Sequence, residues 1–139
     1  MSTPLDQLKS VDLSHLSKAE AKEFTLLLEE LEKREKRESS MASFYDFVKT
    51  IWPEFIAGAH HKKMAEAFDK IANGESKRLI INMPPRHTKS EFASYLFPAY
   101  LLGKRPKLKI IEATHTADLA INFGRRVRDL IESDDYAEI

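Results

Sequence analysis

The chain has 139 residues, 42% hydrophobic and 32% charged, which suits a globular domain with a real core and excludes a disordered chain. Lys plus Arg number 22 and Asp plus Glu number 22, so the net charge is zero and a uniformly basic nucleic-acid coat is excluded; any such contact is a local patch. The absence of cysteine rules out a disulfide framework, a thiolate zinc site and a cysteine nucleophile. No apolar run approaches the roughly 18 residues of a membrane span, and the start lacks the basic and apolar regions of a secretory signal. A soluble intracellular protein is expected.

Residues 1–16 are polar with scattered leucines and are expected to be mobile. Ser17 followed by Glu20 has capping-box spacing, and Phe24, Leu27, Leu28 and Leu31 then recur at helical period. The run from Glu32 to Glu38 alternates charge, as a solvated helix end does, with Glu29–Lys33 and Glu32–Lys36 spaced as favourable pairs. Ser39-Ser40 reads as a linker that separates an N-terminal helical extension, 1–40, from a domain over 41–139. A second helix is predicted over Ser43–Ile51, with Phe44, Phe47, Val48 and Ile51 inward and Pro53 breaking the pattern. A third is predicted over His60–Ala72, with Met64, Ala65, Phe68 and Ile71 inward and Asn73-Gly74 as its stop.

The pattern then changes. Arg78–Met83 is a short apolar run rich in β-formers and reads as a buried strand. A loop over Pro84–Thr88 leads to a helix over Lys89–Leu102, with Pro98 predicting a kink or early end and Gly103 a stop. Leu108–Thr114 reads as a second strand and Thr116–Ser133 as a last helix. The order strand, loop, helix, strand, helix predicts an α/β fold with a parallel sheet flanked by helices.

A loop between strand and helix aims free backbone N–H groups and a helix dipole at one spot, which suits an anion. The P-loop pattern G-x-x-x-x-G-K-[ST] adds a lysine for the β/γ-phosphates and a hydroxyl for Mg²⁺. Here the window is Met83-Pro84-Pro85-Arg86-His87-Thr88-Lys89-Ser90, with lysine and hydroxyl present and both glycines replaced, by Met83 and Thr88. A β-branched residue at position 88 restricts the backbone where glycine would let a phosphate approach.

The string MPPRHTKS, with Phe97-Pro98-Ala99-Tyr100, Gly103, Pro106, Ala113-Thr114-His115-Thr116, Leu119-Ala120 and Phe123-Gly124-Arg125 through Ile131, closely resembles the N-terminal ATPase region of the large terminase subunit of tailed bacteriophages. That family carries a deviant Walker A of the form MPPRHGKS or MPPRHGKT. The resemblance covers residues 55–139 and departs at Thr88, where most of the family has glycine. It implies an incomplete P-loop NTPase that couples hydrolysis of ATP with Mg²⁺ to packaging of double-stranded DNA into a procapsid. Pro85, Arg86, His87, Thr88, Lys89 and Ser90 would bind the nucleotide. Lys89 would contact the β/γ-phosphates, Arg86 would stabilise γ-phosphate charge, Ser90 would help hold Mg²⁺, and His87 would shape the loop. The implied partners are the portal and procapsid, a small terminase subunit and further copies in a homo-oligomeric ring, with no membrane, in the host cytoplasm.

Outside the loop, Trp52, Pro53, His60 and His61 are candidates to line a base pocket, against plain packing of Trp52 on the third helix. Paired His60-His61 lacks the carboxylate spacing of a metal site. Lys104 and Arg105, and Arg125 and Arg128 on one helix face, are candidate contacts to DNA or a neighbouring subunit, against a solvated face balanced by nearby acids. No apolar run ending in paired acids follows the second predicted strand, so the Mg²⁺-holding and water-orienting carboxylates are expected farther on, with the family's nuclease domain beyond them. The chain is therefore expected to be the N-terminal part of a longer protein that hydrolyses ATP poorly by itself. The rival readings are another P-loop ATPase such as a helicase, and a non-catalytic DNA- or capsid-binding module with a degenerate loop.

Overall fold

The computed structural model describes residues 17–139, and the segment 1–16 lies outside the described residues. Helix α1, Lys18–Ser40, opens on the capping box its sequence predicts. Ser17 Oγ accepts the Glu20 amide at 3.3 Å and Glu20 Oε2 accepts the Ser17 amide at 2.8 Å. Phe24 and Leu28 are half-buried, whereas Leu27 and Leu31 stay exposed. The predicted linker at Ser39-Ser40 is instead the last turn of α1. Both hydroxyls bond back to the Lys36 carbonyl, at 3.0 and 2.6 Å, and Ser40 is buried, 3.0 Å from Thr50 Oγ1. Lys36 pairs with Glu138 and Arg37 donates to the Ala137 carbonyl, fastening α1 to the other end of the chain.

Helices α2, Phe44–Ile51, and α3, Ala59–Ala72, bury the faces their periodicity predicts: Phe44, Phe47 and Val48 on one, Met64, Ala65 and Phe68 on the other. Asn73-Gly74 stops α3 as expected. Gly74 takes φ +80°, its amide bonds to Ile71 and the Glu75 amide returns to the Lys70 carbonyl at 2.8 Å, the bond pattern of a Schellman motif. Phe44 is fully buried at the centre of the core, with its ring centroid 5.1–5.5 Å from those of Phe68, Phe92, Phe97 and Tyr100.

Helical structure resumes at Lys89 and runs as a π-helical segment, Glu91–Leu96, into α4, Phe97–Lys104. Pro98 neither ends nor breaks this stretch. It has no N–H and its ring crowds the carbonyl four residues back, so the turn before it widens and the Phe97 amide reaches the Phe92 carbonyl, five residues back. Gly103 does not stop the helix either, because it lies inside α4, and its role is close packing. Helix α5, Ala117–Ile131, is capped by Thr116 and buries Phe123, Val127 and Leu130. The short α6, Asp134–Ala137, follows, so Asp134-Asp135 forms a capped helical turn.

The fold differs from the expected α/β architecture. Among the described residues there is no β-strand and no sheet; the molecule is all-helical there. The predicted strands over 78–83 and 108–114 carry no regular secondary structure, and no backbone hydrogen bond joins them. Residue preference for extended backbone yields a strand only when a neighbour completes the ladder. These two segments have none: Ile80 and Ile111 are 86% and 94% exposed, where a sheet covered by helices would bury them. No helix among the described residues is long and apolar enough to cross a membrane.

Candidate functional site

The loop over residues 84–90 keeps its distinctive geometry without a sheet beneath it. Arg86 and Thr88 hold left-handed backbone, at φ +65° and +56°, and are the non-glycine residues with positive φ among those described. Such a conformation costs roughly 1–3 kcal/mol at a non-glycine residue, so something nearby must hold it. Alternation of handedness along a short loop turns successive N–H groups toward one side, the arrangement that makes an anion-binding concavity. Arg86, His87, Thr88, Lys89, Ser90 and Glu91 line a hollow of about 270 Å³. Lys89, half-buried, folds back over the loop with Nζ 3.5 Å from the Pro84 carbonyl. Arg86 and Ser90 are exposed. His87 is exposed, and its Nδ1 donates to the Pro85 carbonyl within the loop at 2.9 Å.

Thr88 is anchored from outside the loop. Its Oγ1 lies 2.7 Å from His61 Nε2 and donates to the His87 carbonyl at 2.7 Å. His61 is buried at the third position of α3, and its Nδ1 accepts the Gly58 amide at 2.8 Å. It thus fills the place a glutamate takes in a capping box. Burial, with the imidazoles of His60 and His87 close by, lowers the His61 pKa below the ordinary histidine value. The His60 ring packs 3.8 Å from that of His61 and 5.7 Å from that of His87. Trp52 does not line the hollow. Its ring is tilted against Phe55 at 5.3 Å, and Phe55 meets His61 at 4.7 Å, so aromatic contacts connect the tryptophan to the loop.

The candidate basic contacts are not brought together at the loop. Lys104 Nζ donates to Tyr100 Oη at 2.9 Å and Arg105 donates to the Ala72 carbonyl at 2.7 Å. Both residues are exposed; the Arg105 bond ties the end of α4 to the end of α3, whereas the Lys104 bond stays within α4. Arg128 pairs with Asp129 beside it, and Arg125 is exposed on α5. Sequence reasoning missed Arg126, which grips Glu91 with both guanidinium nitrogens, at 2.9 and 2.5 Å, and lies 4.2 Å over the Tyr95 ring. This pair ties α5 to the helical start just after the loop. Neither it nor the His61–Thr88 bond leaves a sequence signal, since the partners are 35 and 27 residues apart.

The side-chain donors lining the hollow suit phosphate: the Lys89 ammonium, the Arg86 guanidinium and the Ser90 hydroxyl, the Thr88 hydroxyl being spent on the His87 carbonyl. They fit Mg²⁺ only in company with phosphate. Ser90 offers a hydroxyl, Glu91 is engaged by Arg126, and among the described residues no group of three His, Cys, Asp or Glu could hold a metal. Compared with known protein families, curated proteins and solved structures, the chain matches none.

Proposed function

We propose that residues 84–90 bind the phosphates of Mg²⁺–ATP, and that the chain contributes this site to a terminase large subunit that packages double-stranded DNA. One observation carries the reading: Lys89 folds over a loop whose backbone is turned left-handed at Arg86 and Thr88. A strained, hydrogen-bonded loop capped by a lysine is what a phosphate cradle needs before its ligand arrives. Bound ATP would supply the phosphoanhydride bond that is cleaved. Lys89 would hold β/γ-phosphate charge, Arg86 would meet the γ-phosphate, amides of Arg86 to Lys89 would line the cradle, and Ser90 would help hold the Mg²⁺ that neutralises the phosphates. Double-stranded DNA, the procapsid portal, a small terminase subunit and a ring of copies in the host cytoplasm follow from the same resemblance.

A second reading has a specific observation behind it. The carboxylate lining the hollow, Glu91, is neutralised by Arg126, so the loop has no group of its own to orient water. By itself this chain then binds nucleotide without turnover.

Both readings meet one test. The full chain is titrated with a non-hydrolysable Mg²⁺–ATP analogue while Trp52 fluorescence is followed, beside Lys89→Ala. A saturable change is expected in the parent and at least about tenfold weaker binding in the variant, the loss of a charge-assisted phosphate contact. A folded parent chain with no saturable response overturns the phosphate-binding assignment. In a parallel assay with ATP itself, turnover by this chain would discard the second reading.

A further inference from the structure

Thr88 stands in backbone that glycine adopts freely and a β-branched residue resists. The hydrogen bonds around it have one consistent direction. The Gly58 N–H can only donate, so His61 Nδ1 is the acceptor and carries no proton. A neutral imidazole then bears its proton on Nε2, which points at Thr88 Oγ1. The His87 carbonyl can only accept, so the threonine hydroxyl donates to it and receives from His61. The chain of donors thus runs from the N-terminus of α3 through His61 to the strained residue of the loop.

The fit is tight. A Cβ on Gly58 would lie 2.9 Å from His60 Cε1 and 3.5 Å from His61 Nδ1, so the chain turns closely around both rings. Phe55 and Phe92 flank the His61 ring at 4.7 and 5.5 Å and keep it from swinging away. The titratable groups facing it are His60 on its own helix and His87 on the loop.

We propose that His61 is a positioning residue of the phosphate-binding loop, donating as its Nε2–H tautomer to Thr88 Oγ1 and holding Thr88 in the left-handed backbone that glycine would take unaided. The inference rests on the phosphate-binding reading above. It explains how a chain with threonine in place of the pattern's glycine keeps the loop in shape. His61 touches no phosphate; it acts through Thr88.

Two experiments on the full chain test it. The first is a double-mutant cycle in binding of a fluorescent Mg²⁺–ATP analogue, using His61→Phe, Thr88→Gly and the pair. His61→Phe keeps a ring and removes both hydrogen bonds; it is expected to weaken binding about fivefold, the worth of one net hydrogen bond. In the Thr88→Gly background the same change is expected to cost under about twofold, because glycine needs no brace. Equal loss in both backgrounds, or none in either, overturns the proposal. If His61→Phe does not fold, His61→Leu, which likewise carries neither donor nor acceptor, takes its place in the cycle.

The second needs no nucleotide. ¹⁵N spectra of the imidazoles at neutral pH are expected to show His61 as the Nε2–H tautomer, with its Nε2 resonance moved by Thr88→Gly. An Nδ1–H tautomer, or a resonance indifferent to that substitution, overturns the proposal. Failure of the parent chain to bind the analogue, with the expected spectra, rejects the phosphate-binding reading and with it the purpose assigned to the brace.

Discussion

Two glycines of the last third of the chain serve opposite ends, and alanine separates them. A Cβ on Gly103 would meet Tyr136 Oη at 2.8 Å and Met41 Cε at 3.0 Å, and Tyr136 is itself fixed by donating to the Ala99 carbonyl at 2.8 Å. Gly103→Ala is expected to destabilise the chain by about 1–3 kcal/mol, the cost of overpacking, read as a lower denaturant midpoint. Gly124 on α5 is exposed, and a Cβ there would meet nothing within 4 Å. Gly124→Ala is expected to stabilise by about 0.5–1 kcal/mol, because alanine loses less backbone freedom in a helix. A loss there of the size expected at Gly103 would sink the distinction. Phe44 marks the other extreme: with five aromatic neighbours around a ring of zero exposure, Phe44→Ala is expected to cost about 3–5 kcal/mol.

Among elements, α2 depends on α3 for its start as well as for its core. The Phe44 amide is one of the first-turn donors that α2 cannot satisfy internally, and Asp69 Oδ1 of α3 accepts it at 2.8 Å. The same oxygen accepts Tyr100 Oη at 3.2 Å, so one carboxylate joins α2, α3 and α4. Burial, with the Asp69 charge beside it, pushes the Tyr100 phenol well above the usual tyrosine range, which keeps it a donor. Asp69→Ala is expected to cost about 1–3 kcal/mol by orphaning both donors, and to speed hydrogen exchange at the Phe44 amide. Unchanged exchange at that amide would remove the capping role. The helices are legible in the sequence because their signals are local: Ser17 with Glu20, the Phe44–Phe47–Val48 face, Asn73-Gly74. The strands are not, because a strand is a property of two segments, and Arg78–Met83 has no partner to complete it. Pro98 does not end the helix early, because a widened turn, invisible in the residue pattern, absorbs it. At the candidate site Lys89 and Ser90 are legible from their spacing after the loop. His61 stands out in the sequence only as half of a histidine pair, and its use becomes visible only once α3 is laid beside Thr88.

For the whole molecule, the lowered pKa of His61 gives stability a pH slope with a definite sign. As pH falls toward the ordinary histidine value, the unfolded chain takes up the proton first. The unfolded state then binds more protons than the folded one, so stability rises with pH across this range. The contribution is whole above the ordinary value and is lost as pH falls through the lowered value in the folded state. Denaturant midpoints measured from about pH 7.5 down to pH 5 are expected to fall, and to fall less in His61→Gln. Equal slopes in both chains would take His61 out of the account. The bare segments carrying Ile80 and Ile111 bear on a different property, how the chain behaves when crowded with itself. Short runs rich in β-formers, uncharged at their centre and open to solvent, are the stretches from which chains nucleate cross-β aggregates. Lysine at both positions is expected to raise the concentration at which the protein stays clear while leaving its helical circular dichroism unchanged. Two runs that look like strands and pair with nothing inside the molecule are thus expected to set the shelf life of a concentrated solution.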